Sequence, residues 1–101
     1  MPVAEFIDSL DAKSQARIAR TLDLLEEFGI NLGMPYARHL ERRLWELRVR
    51  HGMNRYRIIY FLHAGQTLIL LHGFAKKTGA VPRGDMEIAE KRRDDYLSKR
   101  R

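Results

Sequence analysis

The sequence predicts an α+β domain of the order α-α-β-β-β-α: a helical hairpin packed on a small antiparallel twisted sheet, closed by a C-terminal helix. Three observations carry that prediction. The first 28 residues place apolar side chains at helical spacing, residues 44–74 hold three short strand-like runs joined by two short turns that contain Gly, and residues 83–98 return to a helical pattern. At 101 residues the chain reads as a single domain, 1–101, with one modest core.

Each element has a local reason. Residues 3–10 read as a short helix with Pro2 in its first turn, where a missing N–H costs nothing. Asp11 is the expected N-cap of a longer helix over 12–28, with Ile18, Leu22 and Leu25 as its apolar stripe, Ala19 and Phe28 widening it, and Gly29 as C-cap. Residues 29–43, broken by Gly29, Asn31, Gly33 and Pro35, read as loop. Strands follow at 44–50, 54–62 and 67–74, joined by His51-Gly52-Met53-Asn54 and His63-Ala64-Gly65-Gln66, short turns that favour hairpins. The third strand, Leu68-Ile69-Leu70-Leu71, is apolar on both faces, so it is expected to be central and covered on both sides at least in part, with helices on one side of the sheet and a basic helix at the end. Pro82 opens the last helix, whose apolar residues are Met86, Ala89, Tyr96 and Leu97 and which pairs Glu87 with Lys91 at i,i+4.

Composition narrows the functional classes. Hydrophobic residues make up 45% and charged residues 32%, which is the balance of a folded chain. There is no cysteine, so disulfides and thiolate chemistry are excluded and a cytoplasmic location is expected. No apolar run approaches the roughly 20 residues of a membrane helix, and the start Met1-Pro2-Val3-Ala4-Glu5 lacks the layout of a signal peptide.

Charge distribution says more than the net +6. Residues 1–37 hold three cations and six acids, residues 38–57 seven arginines against Glu41 and Glu46, residues 58–75 no formal charge, and residues 76–101 nine cations against five acids. The sheet and the tail are basic, which suits nucleic acid or an acidic protein partner.

Within the sheet the basic residues are patterned. Arg48 and Arg50 alternate on one strand and Arg55 and Arg57 on the next, so each pair shares a face and a hairpin brings the pairs together. Only Glu46 lies among them. Like charges across a hairpin are destabilising unless something anionic compensates, and arginine offers the planar, bidentate donors that phosphate accepts. A solvated charged strand is the competing reading.

Lys76 and Lys77 follow the third strand directly, and Arg83, Lys91, Arg92 and Arg93 lie beyond, extending the phosphate-suited surface. The histidines at 39, 51, 63 and 72 have no metal-ligand spacing. His72 reads as sharing a face with Leu68, Leu70 and Phe74, either as a satisfied core residue or as a proton donor or acceptor. Trp45 and Tyr96 read as packing residues, as do at least two of Tyr56, Tyr60 and Phe61; a tyrosine reaching the basic face could stack on a base or move a proton. No glycine-rich phosphate loop, Ser-His-Asp set or paired-carboxylate site is recognisable.

Taken in order, Pro2-Val3-x-x-Phe6, Leu44-Trp45-Glu46-Leu47-Arg48, Tyr56-Arg57-Ile58-Ile59-Tyr60-Phe61 and Leu71-His72-Gly73-Phe74-x-Lys76-Lys77-Thr78 resemble the RelE/HigB-type toxins of bacterial toxin–antitoxin systems, and among them the phage-derived HigB-like branch, from residue 2 to about 97. Two departures stand out. Family members usually begin with an extra strand before the first helix, whereas Met1 stands at that helix here and leaves an exposed sheet edge as the expectation. Some members carry a catalytic tyrosine after the last strand, where this chain has Thr78-Gly79-Ala80-Val81.

The resemblance implies a ribosome-dependent, metal-independent endoribonuclease that cuts mRNA by attack of the ribose 2′-OH on the adjacent phosphate, with no cofactor. It puts the family's strand arginine on Arg57, its basic residue of the preceding strand on Arg48 or Arg50, and its basic residue after the last strand on Lys77 or Lys76. Arg57, Arg48, Lys77 and His72 are therefore the expected catalytic residues, with Arg50, Arg55, Lys76 and Arg83 contacting RNA. The general base is left open among His72, Tyr60 and a lysine. The implied partners are an antitoxin with a helix-turn-helix domain, the ribosome and mRNA, with operator DNA reached through the antitoxin. A non-catalytic RNA- or ribosome-binding homologue explains the basic face equally well. A third reading is a structural protein whose basic face docks an acidic partner helix.

Overall fold

The computed structural model describes residues 1–64, 67–76 and 79–99. Its elements are α1 (Pro2–Asp8), α2 (Ala12–Phe28), a 3-10 turn (Gly29–Asn31), β1 (Ala37–His39), β2 (Trp45–His51), β3 (Asn54–His63), β4 (Thr67–Ala75) and α3 (Arg83–Ser98). The sheet is antiparallel throughout, in the order β1-β2-β3-β4.

The long helix forms as expected. Asp11 takes extended backbone at its N-cap and Gly29 ends it at φ 54°, a left-handed value that only glycine adopts without penalty. Its buried stripe is Ser14, Ile18, Thr21 and Leu25. Ala19 and Phe28, expected on that stripe, are exposed. The polar members are satisfied: the Ser14 hydroxyl and the Tyr56 phenol are hydrogen-bonded at 2.9 Å, tying α2 to β3, and Thr21 donates to the Arg17 carbonyl at 2.9 Å.

Four expectations are corrected. The segment 29–43 is not all loop, because it contains the 3-10 turn and β1. The β1–β2 hairpin closes through Leu44 N–H to the Glu41 carbonyl at 3.1 Å, with Arg42 at φ 58° and Arg43 at φ 63°. Two left-handed central residues usually announce themselves as Asn-Gly, and here they are two arginines. Each costs about 1–2 kcal/mol.

Second, the helices cover both faces. One core of Val3, Ile18, Leu25, Leu47, Val49, Tyr56, Ile58 and Tyr60 lies between α1, α2 and the sheet; the other, of Leu44, Ile59, Phe61, Leu71 and Ala89, lies under α3. Third, β4 is an edge strand, not a central one. It is apolar on both faces because α1 and α3 sandwich it. A Cβ at Gly73 would stand 2.4 Å from Phe6 Cδ2, so the missing side chain is what lets α1 lie on the strand.

Fourth, His72 does not share a face with Leu68 and Leu70. Ile59 pairs with His72 but Tyr60 pairs with Leu70, which leaves Leu71 as the extra residue of a bulge. Leu71 and His72 both turn to α3, while Leu68 and Leu70 pack in the α1/α2 core. Phe74 does keep His72 company, its ring stacked at 5.4 Å.

Candidate nucleic-acid interface

The alternation of arginines resolves into a register. Arg48 pairs with Arg57 and Arg50 with Arg55 across β2 and β3. All four project from the face that carries α3, because Tyr56, Ile58, Leu47 and Val49 between them fill the opposite core. The α3 helix packs over Ile59, Phe61 and Leu71, and the arginine end of the face stays open. There a groove of about 250 Å³ is lined by Pro35, Arg48, Val49, Arg50, Arg55 and Arg57.

Glu46 sits beneath it, fully buried. Its Oε1 lies 3.4 Å from Arg57 Nε, 3.5 Å from Arg38 Nη2 and 3.9 Å from Arg48 Nε, so one carboxylate oxygen gathers guanidiniums from β3, β1 and β2. All three separations exceed the roughly 2.7–2.9 Å of a charge-assisted hydrogen bond. Among the described residues neither Glu46 oxygen nor Arg57 Nε has a hydrogen-bond partner.

Arg57 is less open than its role on sequence implied: its side chain is 4% exposed, and Nη1 donates to the Tyr56 carbonyl at 3.1 Å. Burial lowers its proton affinity most, Glu46 opposes that, and Arg48, Arg55 and Arg38 add to it. Arg48, at 29% side-chain exposure, and the exposed Arg50 and Arg55 present more surface to a ligand.

Lys76 joins the cluster electrostatically. Its N–H bonds to the Arg55 carbonyl at 2.7 Å, and its ammonium is held below the ordinary lysine value, first by burial, then by Arg57, with Arg38 and Arg48 in the same direction and Glu46 against. Lys77 lies outside the described residues.

Other candidates lie elsewhere. Arg83 lines a separate cleft with Glu41, Arg42, Val81, Met86, Glu87 and Glu90, and pairs with Glu87 at 3.1 Å. His72 is tied to α3 through both ring nitrogens: Nε2 to Asp85 Oδ1 at 2.6 Å and Nδ1 to Arg92 Nη1 at 3.3 Å, while Arg92 also donates to the Leu71 carbonyl at 2.9 Å. Tyr60 stacks near Trp45 on the α1/α2 side, and burial pushes its phenol up to about 12. His39 packs edge-on to Trp45 and His63 edge-on to Phe61 and Tyr96. Among the described residues no group of three or more His, Cys, Asp or Glu is placed to hold a metal ion, and no helix is long and apolar enough to cross a membrane.

Three residues at or beside the groove escaped the sequence reading. Arg38 enters through β1, a strand hidden among breakers. Glu46 was visible only as the lone acid among arginines, and its burial was not. Tyr36 is exposed, and its carbonyl accepts the Arg48 N–H at 2.7 Å, which sets it beside the groove. The alternation Tyr36, Arg38 around the buried Ala37 was the available signal.

Fold and groove together define a small basic α+β domain with an arginine-lined, phosphate-suited face. The chain belongs to the family described as Phage derived protein Gp49-like (DUF891), a toxin-like family, which it matches over residues 5–94. No curated protein matches it.

Proposed function

We propose that the chain is the toxin of a toxin–antitoxin pair and acts as a ribosome-dependent endoribonuclease on mRNA. The observation that carries this reading is the pairing of Arg48 with Arg57 and Arg50 with Arg55 on an open sheet face, with Lys76 beside them, in a chain of a toxin-like family. Such a cluster suits an RNA phosphate whose charge grows as the ribose 2′-OH attacks it in line and the 5′-oxygen leaves, giving a cyclic phosphate. Arg48, Arg50 and Arg55 hold the phosphates, and the free Nη donors of Arg57 share the developing charge. Lys76, whose proton is held more weakly than an ordinary lysine's, is the candidate for proton transfer among the described residues. A helix-turn-helix antitoxin is the partner this reading implies.

The second reading, a non-catalytic RNA- or ribosome-binding homologue, is favoured by the burial of Arg57 and by the engagement of both His72 nitrogens. Purified protein added to a translation reaction separates the two. The nuclease reading expects cuts in translated mRNA and none in the same RNA without ribosomes. Ribosome binding without cuts would establish the second.

A further inference from the structure

We infer that Glu46 is a positioning residue, the internal counter-ion that holds Arg57, Arg48 and Arg38 converged at the floor of the arginine groove. The inference rests on the RNA-cleaving reading of the groove, but its geometry is independent of that reading. Glu46 lies on β2 between Trp45 and Leu47 and is fully buried, where an ionised carboxylate is costly unless cations surround it. Three do, one from each of three adjacent strands, and all meet the same oxygen. Among the described residues no hydrogen bond anchors the carboxylate. The separations of 3.4–3.9 Å are too long for strong hydrogen bonds, and both carboxylate oxygens lack one among the described residues.

What Glu46 does accomplish is spatial. Register alone would set the Arg48 and Arg57 guanidiniums opposite each other and repelling. The carboxylate draws them together from below. It occupies the Nε side of Arg57 while the Tyr56 carbonyl takes one Nη1 proton, so among the described residues the remaining Nη protons are the ones left for a ligand above. Lys76 also interacts with this carboxylate, and Arg55 with Arg57.

The test is Glu46→Gln, which keeps the shape and removes the charge. With the counter-charge gone the groove is more cationic but less ordered. RNA binding should tighten, and its log–log salt slope should steepen by up to about 0.7. Cleavage of translated mRNA should fall by about 10²-fold, as for a displaced catalytic contact. Arg57 Nε–H, followed by nitrogen-15 NMR, should give a discrete signal in the wild type that merges with the exposed arginines in the variant. Wild-type cleavage by folded Glu46→Gln overturns the inference. So does a folded Glu46→Gln whose binding and cleavage fall in equal measure while the Arg57 signal stays unmoved, because positioning would separate the two. If the wild type cuts no mRNA, the nuclease reading falls on its own, and an Arg57 signal unchanged in Glu46→Gln would then overturn the positioning role separately. Should Glu46→Gln not fold, Glu46→Asp carries the test, since it keeps the charge and withdraws the oxygen by one methylene. Cleavage should fall and the Arg57 signal move while binding holds; wild-type cleavage with an unmoved signal overturns the inference.

Discussion

Arg48 and Arg57 face each other across β2 and β3, and a buried carboxylate beneath them, that of Glu46, lies within 3.9 Å of the first and 3.4 Å of the second. Two like charges directly opposed in a hairpin would weaken the sheet. Here they share an internal anion, and the open side of the pair is left to an external one.

Replacing the pair differs from breaking it. Glu46→Met alone leaves the 4%-exposed Arg57 without its counter-charge and should cost about 3–5 kcal/mol in urea unfolding. The double variant Glu46→Met/Arg57→Met should recover most of that loss, because well-packed apolar residues replace buried ion pairs at little cost. Its RNA binding should still be weakened. A double variant as unstable as the single one would mean that Arg38 and Arg48, not Arg57, balance the carboxylate.

Gly73→Ala should destabilise the fold by about 1–3 kcal/mol, since the added methyl would stand 2.4 Å from the Phe6 ring. Shortening Phe6 to Leu in the same chain should restore part of the melting temperature. No rescue would place the strain elsewhere on β4.

Cleavage should depend on pH through Lys76. Its proton is held more weakly than in a free lysine, whose ordinary value is 10.5, so the basic form appears at lower pH than usual. A rate that uses this base rises with pH and levels off below 10.5, and Lys76→Arg should abolish the rise. The same shift fixes the sign for stability. Between the lowered folded value and the ordinary one the unfolded chain holds the proton better, so stability rises with pH across that window. A pH profile unchanged in Lys76→Arg would remove Lys76 from proton transfer.

His72→Asn should act on the fold rather than on the chemistry. Losing the contacts to Asp85 and Arg92 should cost about 1–3 kcal/mol, seen as a lower melting temperature, with RNA binding by the groove retained. A variant of full stability that had lost cleavage would return His72 to the catalytic set.

How much of this could be read beforehand follows from what each signal depends on. The helix over 12–28 and the strands of the two later hairpins were legible because periodicity and glycine turns are local. The β1 strand was not, because its turn is made by Arg42 and Arg43 in left-handed backbone without glycine or asparagine. The shared face of Arg48, Arg50, Arg55 and Arg57 followed from parity alone, whereas the face of His72 did not, because the bulge at Leu71 resets parity midway along β4. That helices sit on both sides, and that β4 is an edge, are tertiary facts: an apolar run looks the same under two helices as between two strands. The burial of Glu46 belongs to the same class.

The central claim is that the β2–β3 arginine groove is where RNA is cut. It is tested most directly by inducing the chain in bacterial cells and mapping new mRNA 5′ ends, beside Arg48→Ala and Arg57→Ala variants shown to be folded by circular dichroism. Losing one such contact removes about 2.7–4 kcal/mol of barrier stabilisation. The wild type should therefore arrest growth and produce cuts within translated messages, with growth restored and the cuts lost in both variants. Growth arrest and an undiminished cut pattern from folded Arg57→Ala would contradict the account.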